Sequence, residues 1–228
     1  MKNRMSGAPE ISRVARSKAE ARAAYDRMSA WYDCLAGQSE KKFRDIGLQK
    51  LNAGKGETIL EIGCGTGHAL IALARAAGDS GKVYGIDLSA GMVRIAQARV
   101  EEMGLTARVQ LECGDAAGLP YASEQFDAIF ICFTLELFDT PEIPVVLGEC
   151  RRVLRNGGRI GVVALSRPVR SGPMIRLYEW AHQQFPAYVD CRPIFVQAAL
   201  QENGFQVHGV DSFTMWGLPV DIVLAGKN

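Results

Sequence analysis

Between residues 58 and 165 the chain alternates between two periodicities. Short apolar or β-branched runs predict strands at 58–62, 82–87, 107–112, 126–132 and 159–165. Helical patterns lie between them at 67–77, 89–103 and 141–155, with Ser89 as an N-cap for the second and Asn156–Gly158 ("NGG") as a stop for the third. Such an alternation leaves few architectures open. Strands joined by helical crossovers run parallel, and the helices cover both faces of the sheet. After Leu165 the rhythm changes to an insertion at about 166–192, then a helix at about 193–203. Two strands follow, "FQVHGVDSF" and "VDIVLAG", joined by "TMWGLP". That joint is too short for a helical crossover, so these two strands must be antiparallel neighbours. The expected fold is α/β, a Rossmann-like and mostly parallel sheet. Residues 1–54 are expected to form an N-terminal helical cap, and 55–228 the main domain.

The first strand runs into a glycine loop, "ILEIGCGTGHALIALA", from Ile59 to Ala74. Open α/β sheets bind ligands at such strand-to-helix turns. The dinucleotide fingerprint asks for a small residue five positions after its first glycine. Gly63 and Gly65 fit, but that position is His68, and the third glycine is Gly67. No Gly-Lys-Ser/Thr follows, so the P-loop pattern fails as well. Glu61 at the strand end would repel a phosphate. It suits a ligand with an ammonium or sulfonium group and no phosphate, and S-adenosyl-L-methionine is such a ligand. Asp87 ends the second strand, where an acid can accept hydrogen bonds from ribose hydroxyls. Asp115 ends the third, in place to meet an adenine edge.

The bulk properties exclude other classes. The 228 residues carry 26 Lys and Arg against 25 Asp and Glu, a net charge of +1. That is not the basic footprint of a nucleic-acid binder. The 6 cysteines include no CxxC pair and read as reduced thiols in a cytoplasmic protein. The 3 histidines show no ligand spacing, so no metal is expected. "MKNRMSGAPE" has no apolar core and is not a secretory signal.

With these segments in view, the chain resembles the class I S-adenosylmethionine-dependent methyltransferases. "LEIGCGTG", "VYGIDLS", "GDAAGLP", "FDAIFICFTLELF" and "ECRRVLRNGGRI" are similar, in order, to that class's signature segments. "YDRMSAWYD" near the front is similar to the ubiquinone/menaquinone C-methyltransferase branch and its small-molecule relatives. The resemblance implies a seven-stranded sheet with an antiparallel last strand. It also implies a cofactor site. Glu61, Gly63, Cys64, Gly65 and Gly67 would contact the methionine part, and Asp87 would hold the ribose. Leu88 and Met92 would pack near the adenine, with Asp115 and Ala116 meeting it. Cys132 and Phe133 would pass beside the methionyl group, and Tyr25 and Tyr32 would close over the cofactor. "FPAYVDCRPI" in the insertion departs from the branch's pattern, which bears on the substrate rather than on the cofactor.

The acceptor is expected to be a small apolar molecule, quinone-like or anionic, methylated on carbon or oxygen, with N-methylation as the alternative. An enol, phenol or carbon acid needs a base, and the candidates are Asp190, His182 and Glu136. Seven arginines and no acid lie between Arg151 and Arg176. Arg170 and Arg192 are the candidates for an anionic group on the substrate, since guanidinium forks suit carboxylate and phosphate. Tyr178, Trp180, Phe185 and Tyr188 fit an acceptor pocket, a core cap or a peripheral membrane contact, and the sequence leaves all three open. "CFTLELF" stands where base-methylating enzymes carry an Asn/Asp-Pro-Pro-aromatic motif, so nucleic acid is not the expected acceptor. A nicotinamide-dependent oxidoreductase is disfavoured by His68 and Glu61. A non-catalytic partner subunit is disfavoured by the intact loop. A monomer and a homodimer both fit.

Overall fold

The structure is a computed structural model. It describes residues 13–14, 16–35, 37–168 and 191–228, together with Met174, Tyr178, Trp180, His182 and Gln184. Among the described residues, three α-helices precede the first strand: α1 (Lys18–Met28), α2 (Tyr32–Leu35) and α3 (Gly37–Leu51). Then come β1 (Thr58–Ile62), α4 (His68–Ala77), β2 (Lys82–Asp87), α5 (Ala90–Glu102), β3 (Val109–Cys113) and β4 (Phe126–Cys132). α6 (Ile143–Val153), β5 (Leu154–Leu165), α7 (Val196–Glu202), β6 (Gln206–Met215) and β7 (Leu218–Gly226) complete it.

The seven strands form one sheet in the order β3-β2-β1-β4-β5-β7-β6. β1 pairs in parallel with both β2 and β4, so the strand order reverses at β1. That reversal opens a crevice at the carboxyl ends of β1 and β4. β7 runs antiparallel to β5 and to β6. Trp216 and Gly217, with φ of 51° and 81°, make the two-residue turn between β6 and β7, a turn whose twist suits a hairpin.

The strands are apolar on both sides because both faces are covered. Phe43, Leu51, Phe130 and Val163 lie in the core on one face; Phe126, Ile129, Leu147 and Val162 lie on the other. Each fully buried side chain of this size contributes about 1.5–3 kcal/mol. α3 packs on the sheet itself, where Gly47 lies against Val163 and Phe130.

The boundaries differ from expectation where a local effect outweighs the pattern. "NGG" does not stop the third crossover helix. α6 ends at Val153, and Asn156–Gly158 lie inside β5, where the β4–β5 register shifts between Phe126 and Ala128 and Gly157 takes φ of 75°. β3 begins at Val109 rather than 107. α3 ends at Leu51, and Asn52 after it takes the left-handed region (φ 51°). The insertion leaves and returns at one place, since Ser166 and Ile194 form a β-bridge and Arg167 N donates to Ile194 O at 3.0 Å. Cys113 is exposed, unlike the buried Cys64 and Cys150, and all three are free thiols. Among the described residues, no helix is long and apolar enough to cross a membrane.

Candidate active site

A cavity of about 350 Å³ lies at the carboxyl ends of β1, β2, β3 and β4. Its sheet-side wall is made by Ile62, Gly63 and Gly65, by Ile86 to Leu88 with Met92, and by Gly114 to Ala116. Cys132, Phe133 and Thr134 continue that wall past β4. The opposite wall comes from the N-terminal segment, including Lys18, Tyr25 and Tyr32.

The glycine loop is shaped by close approach. Gly63 has φ of 68°, and a methyl group there would lie 2.2 Å from Thr134 Oγ1. A methyl group on Gly67, at the head of α4, would lie 3.0 Å from the Cβ of Ala96. The N–H groups of the loop residues 63, 64, 65 and 67 are already engaged. Gly63 and Cys64 donate to Ile86 O at 2.8 and 3.2 Å, and Gly67 donates to Cys64 O at 2.9 Å. Gly65 donates to Asp87 Oδ2 at 2.8 Å. A phosphate-binding loop must leave such donors free, and this one does not.

Asp87 is gripped from two sides. Oδ2 accepts from Gly65 and Oδ1 accepts from Ser89 N at 2.9 Å. Burial raises its pKa, and the two backbone donors oppose that rise. The result is a fixed carboxylate at the cavity wall, suited to a pair of vicinal hydroxyls. Asp115 Oδ1 accepts from Ala117 N at 2.9 Å, and its Oδ2 pairs with Lys18 at 2.5 Å. Lys18 also reaches Glu142 at 2.7 Å, so one ammonium bridges two acids across the cavity mouth. Burial lowers the Lys18 pKa, but its bonds to Asp115 and Glu142 outweigh this and the net shift is upward. At the far rim Arg13 holds Asp139 in a bidentate pair, which keeps that carboxyl down to about 2. Phe133 takes a φ of 48°, a strained conformation for an aromatic residue, at the end of β4.

Of the sequence-predicted cofactor residues, Tyr25, Tyr32, Gly63, Gly65, Asp87, Leu88, Met92, Asp115, Ala116, Cys132 and Phe133 line this one cavity. Three do not. Cys64 is buried in the core, where burial raises its thiol pKa. Gly67 serves the packing of α4. Glu61 points into the face carrying α3 and α4 and is 3% exposed. Its carboxylate accepts from Leu70 N at the head of α4, with Arg44 nearby, and its Oε2 has no hydrogen-bond partner. Burial raises its pKa well above the ordinary value.

Of the candidate bases and arginines, Glu136, His182 and Arg192 are described, and none of the three lines the wall. Glu136 is fully buried, and its Oε1 accepts from Leu165 N at 3.0 Å, tying the turn after β4 to the end of β5. His182 is buried off the cavity wall. Arg192 is 0% exposed and donates from Nη2 to Phe138 O at 2.5 Å. Burial pushes it down to about 10, against the pull of Asp139 and Glu136. It therefore braces the loop that carries Phe138, while its Nε and Nη1 have no hydrogen-bond partner among the described residues. Asp190 and Arg170 lie outside the described residues. Leu137 and Phe138, in the segment "FDAIFICFTLELF", and Asp139 in the loop after it also line the wall. The sequence reading missed Lys18. No motif marks it, because its place depends on how the N-terminal segment folds back.

A family model described as "Methyltransferase domain" matches residues 59–158. A demethylmenaquinone methyltransferase from Bacillus licheniformis is 31% identical over 201 residues, which cover 78% of this chain and 83% of that relative. The chain belongs to the class I S-adenosylmethionine-dependent methyltransferases, in the menaquinone branch. A second demethylmenaquinone methyltransferase, from Bacillus velezensis, is 37% identical over 65% of this chain, which spans 61% of the relative's length. Among solved structures, an S-adenosylmethionine-dependent methyltransferase from Aquifex aeolicus matches with a TM-score of 0.65 at 22% identity, over 88% of this chain and 97% of that one. The cyclase SpnF matches at 0.77 and 20% identity, over 95% and 98%. Likeness at that level shows a methyltransferase's fold and leaves the activity to the site.

Proposed function

We propose that this methyltransferase moves the methyl group of S-adenosylmethionine to a ring carbon of a small quinol-like acceptor. The observation that carries the cofactor is Asp87. Its carboxylate is fixed by two backbone N–H groups at the cavity wall, beside a glycine loop with its own donors committed. A ribose fits that arrangement and a pyrophosphate does not. The acceptor class rests on the relatives' demethylmenaquinone activity and on the apolar end of the cavity.

Bound S-adenosylmethionine supplies an activated methyl on its sulfonium. The chain's part is placement. Asp87 holds the ribose, and Asp115 with Lys18 meets the adenine end. Phe133, Leu137 and Phe138 give the acceptor an apolar seat beside Cys132. Fixing two reactants in line can lower a barrier by about 7–11 kcal/mol. Two groups beside the acceptor end are unsuited as a base near neutral pH. Arg13 holds Asp139 down to about 2, and burial raises the Cys132 thiol well above its ordinary range. An acceptor that enters already ionised, as a quinolate, suits this wall better than a hydroxyl deprotonated inside it.

Calorimetry with S-adenosylhomocysteine and with NAD tests the cofactor. Micromolar binding of the first alone, weakened about 100-fold by Asp87→Ala, is expected from the loss of a charged acceptor for two hydroxyls. Binding of NAD, or of neither, overturns the reading. Mass spectrometry of a reduced, short-tailed demethylmenaquinone incubated with enzyme and cofactor tests the acceptor. An unchanged mass removes the quinol from the proposal.

A further inference from the structure

The stretch "YDRMSAWYD" contains two Tyr–Asp pairs, Tyr25–Asp26 and Tyr32–Asp33. Both tyrosines line the cavity, with ring centroids 6.3 Å apart. Both aspartates point away from it and dock on the main domain.

The two docking points differ. Asp26 Oδ1 accepts from Ser89 Oγ at 2.6 Å and from Gly91 N at 2.8 Å, at the head of α5. The fit there is close, since a methyl group on Gly91 would lie 2.8 Å from Ser29 Oγ. Asp33 Oδ1 accepts from Thr66 Oγ1 at 2.6 Å, and its Oδ2 accepts from Arg99 Nη2 at 2.6 Å. Arg99 Nη1 in turn donates to Thr66 O at 2.5 Å. Thr66 follows Gly65, whose N–H holds Asp87 Oδ2; Ser89 supplies the N–H that holds Asp87 Oδ1. The two aspartates therefore grip the two backbone segments that grip Asp87.

We infer that Asp26 and Asp33 are positioning residues for the cofactor. They seat Tyr25 and Tyr32 over the cavity and, through Ser89 and Thr66, fix the direction in which Asp87 presents its oxygens. This rests on the reading of the cavity as the S-adenosylmethionine site. Closing the cap and setting the ribose carboxylate then become one event.

The chemistry of the two anchors gives an asymmetric test. Asp26 uses one oxygen for both donors, which an asparagine amide oxygen can replace. Asp33 uses both oxygens, so asparagine could keep its oxygen on Arg99 only by turning its N–H2 to Thr66 Oγ1, and it would lose the charge that strengthens the bond to the guanidinium. S-adenosylhomocysteine binding is measured by calorimetry on wild type, Asp26→Asn, Asp26→Ala, Asp33→Asn and Asp33→Ala, with KM and kcat for methyl transfer alongside. Asp26→Asn is expected within about threefold of wild type, and the other three about tenfold weaker, from loss of charged hydrogen bonds. The loss should appear in the cofactor KM with kcat little changed. Thr66→Val, which keeps the aspartate and removes its hydroxyl partner, should weaken binding in the same direction; it stands in if an aspartate variant fails to fold. Equal binding by wild type, both alanine variants and Thr66→Val would overturn the inference while leaving the cofactor reading intact. A wild type that binds no S-adenosylhomocysteine would instead remove the reading on which it rests.

Discussion

The sheet-side wall of the cavity and the wall formed by residues 13–33 are held by different forces. β1, β2 and β4 are gripped by backbone ladders, and their core residues Ile59, Leu60, Ile129 and Phe130 are fully buried. In the N-terminal wall Ala24 and Ser29 are the described residues that are buried, and each keeps a small part of its surface in water. That wall stays closed through Arg13–Asp139, Lys18–Asp115–Glu142 and the two aspartate anchors. Arg13 and Lys18 keep 69% and 37% of their side-chain surface in water, where an ion pair is worth about 0–1 kcal/mol. One wall costs several kcal/mol to disturb, while the other can lift without unfolding the domain. An enclosed cofactor needs that inequality in order to enter and leave.

The largest predicted effect breaks the firm wall. In Gly63→Ala the new methyl would lie 2.2 Å from Thr134 Oγ1, on a backbone at φ 68°. Overpacking costs about 1–3 kcal/mol, and left-handed strain adds about 1 kcal/mol or more. The thermal midpoint should fall by several degrees, and S-adenosylhomocysteine binding should become undetectable by calorimetry. Normal binding would mean that Thr134 can move, and that this wall is softer than its packing implies.

A second, smaller effect reads the weak wall. Exposed ion pairs are screened by salt, whereas S-adenosylhomocysteine is a zwitterion with little salt dependence of its own. Raising the salt from about 0.05 to about 0.5 M should weaken wild-type binding about threefold. Lys18→Ala should show that weakening already at low salt, with a flatter slope. Identical slopes for the two proteins would show that the Lys18 pairs do not hold the wall.

The two walls also differ in how far the sequence revealed them. The alternation from 58 to 165 and the short "TMWGLP" joint were enough for the sheet, because hydrophobic period and crossover length are local signals. Asp87 and Asp115 were legible as strand-end acids. Lys18 and the docking of Asp26 and Asp33 were not. Each depends on a partner 60 or more positions away, as in Lys18 with Asp115 or Asp26 with Ser89. The burial of Arg192 and Glu61 was not legible for a related reason. A charged residue near a site reads as exposed until the packing of distant elements encloses it.

Glu61 gives the finest comparison, because it belongs to the firm wall and yet carries a group that water would prefer to hold. Its pKa is raised in the folded state, chiefly by burial. A raised carboxylate pKa means the folded protein binds the proton more tightly than the unfolded chain. The fold is therefore favoured while Glu61 is protonated, and it loses that advantage as pH rises from the unfolded value toward the folded one. Glu61→Gln keeps an acceptor for Leu70 N and never ionises. The variant should match wild type near pH 5 and melt higher near pH 8, by a margin that grows between the two. S-adenosylhomocysteine affinity should change less than about threefold, since the side chain does not reach the cavity. A tenfold loss of affinity with no gain in stability would instead put this carboxylate in touch with the ligand's ammonium.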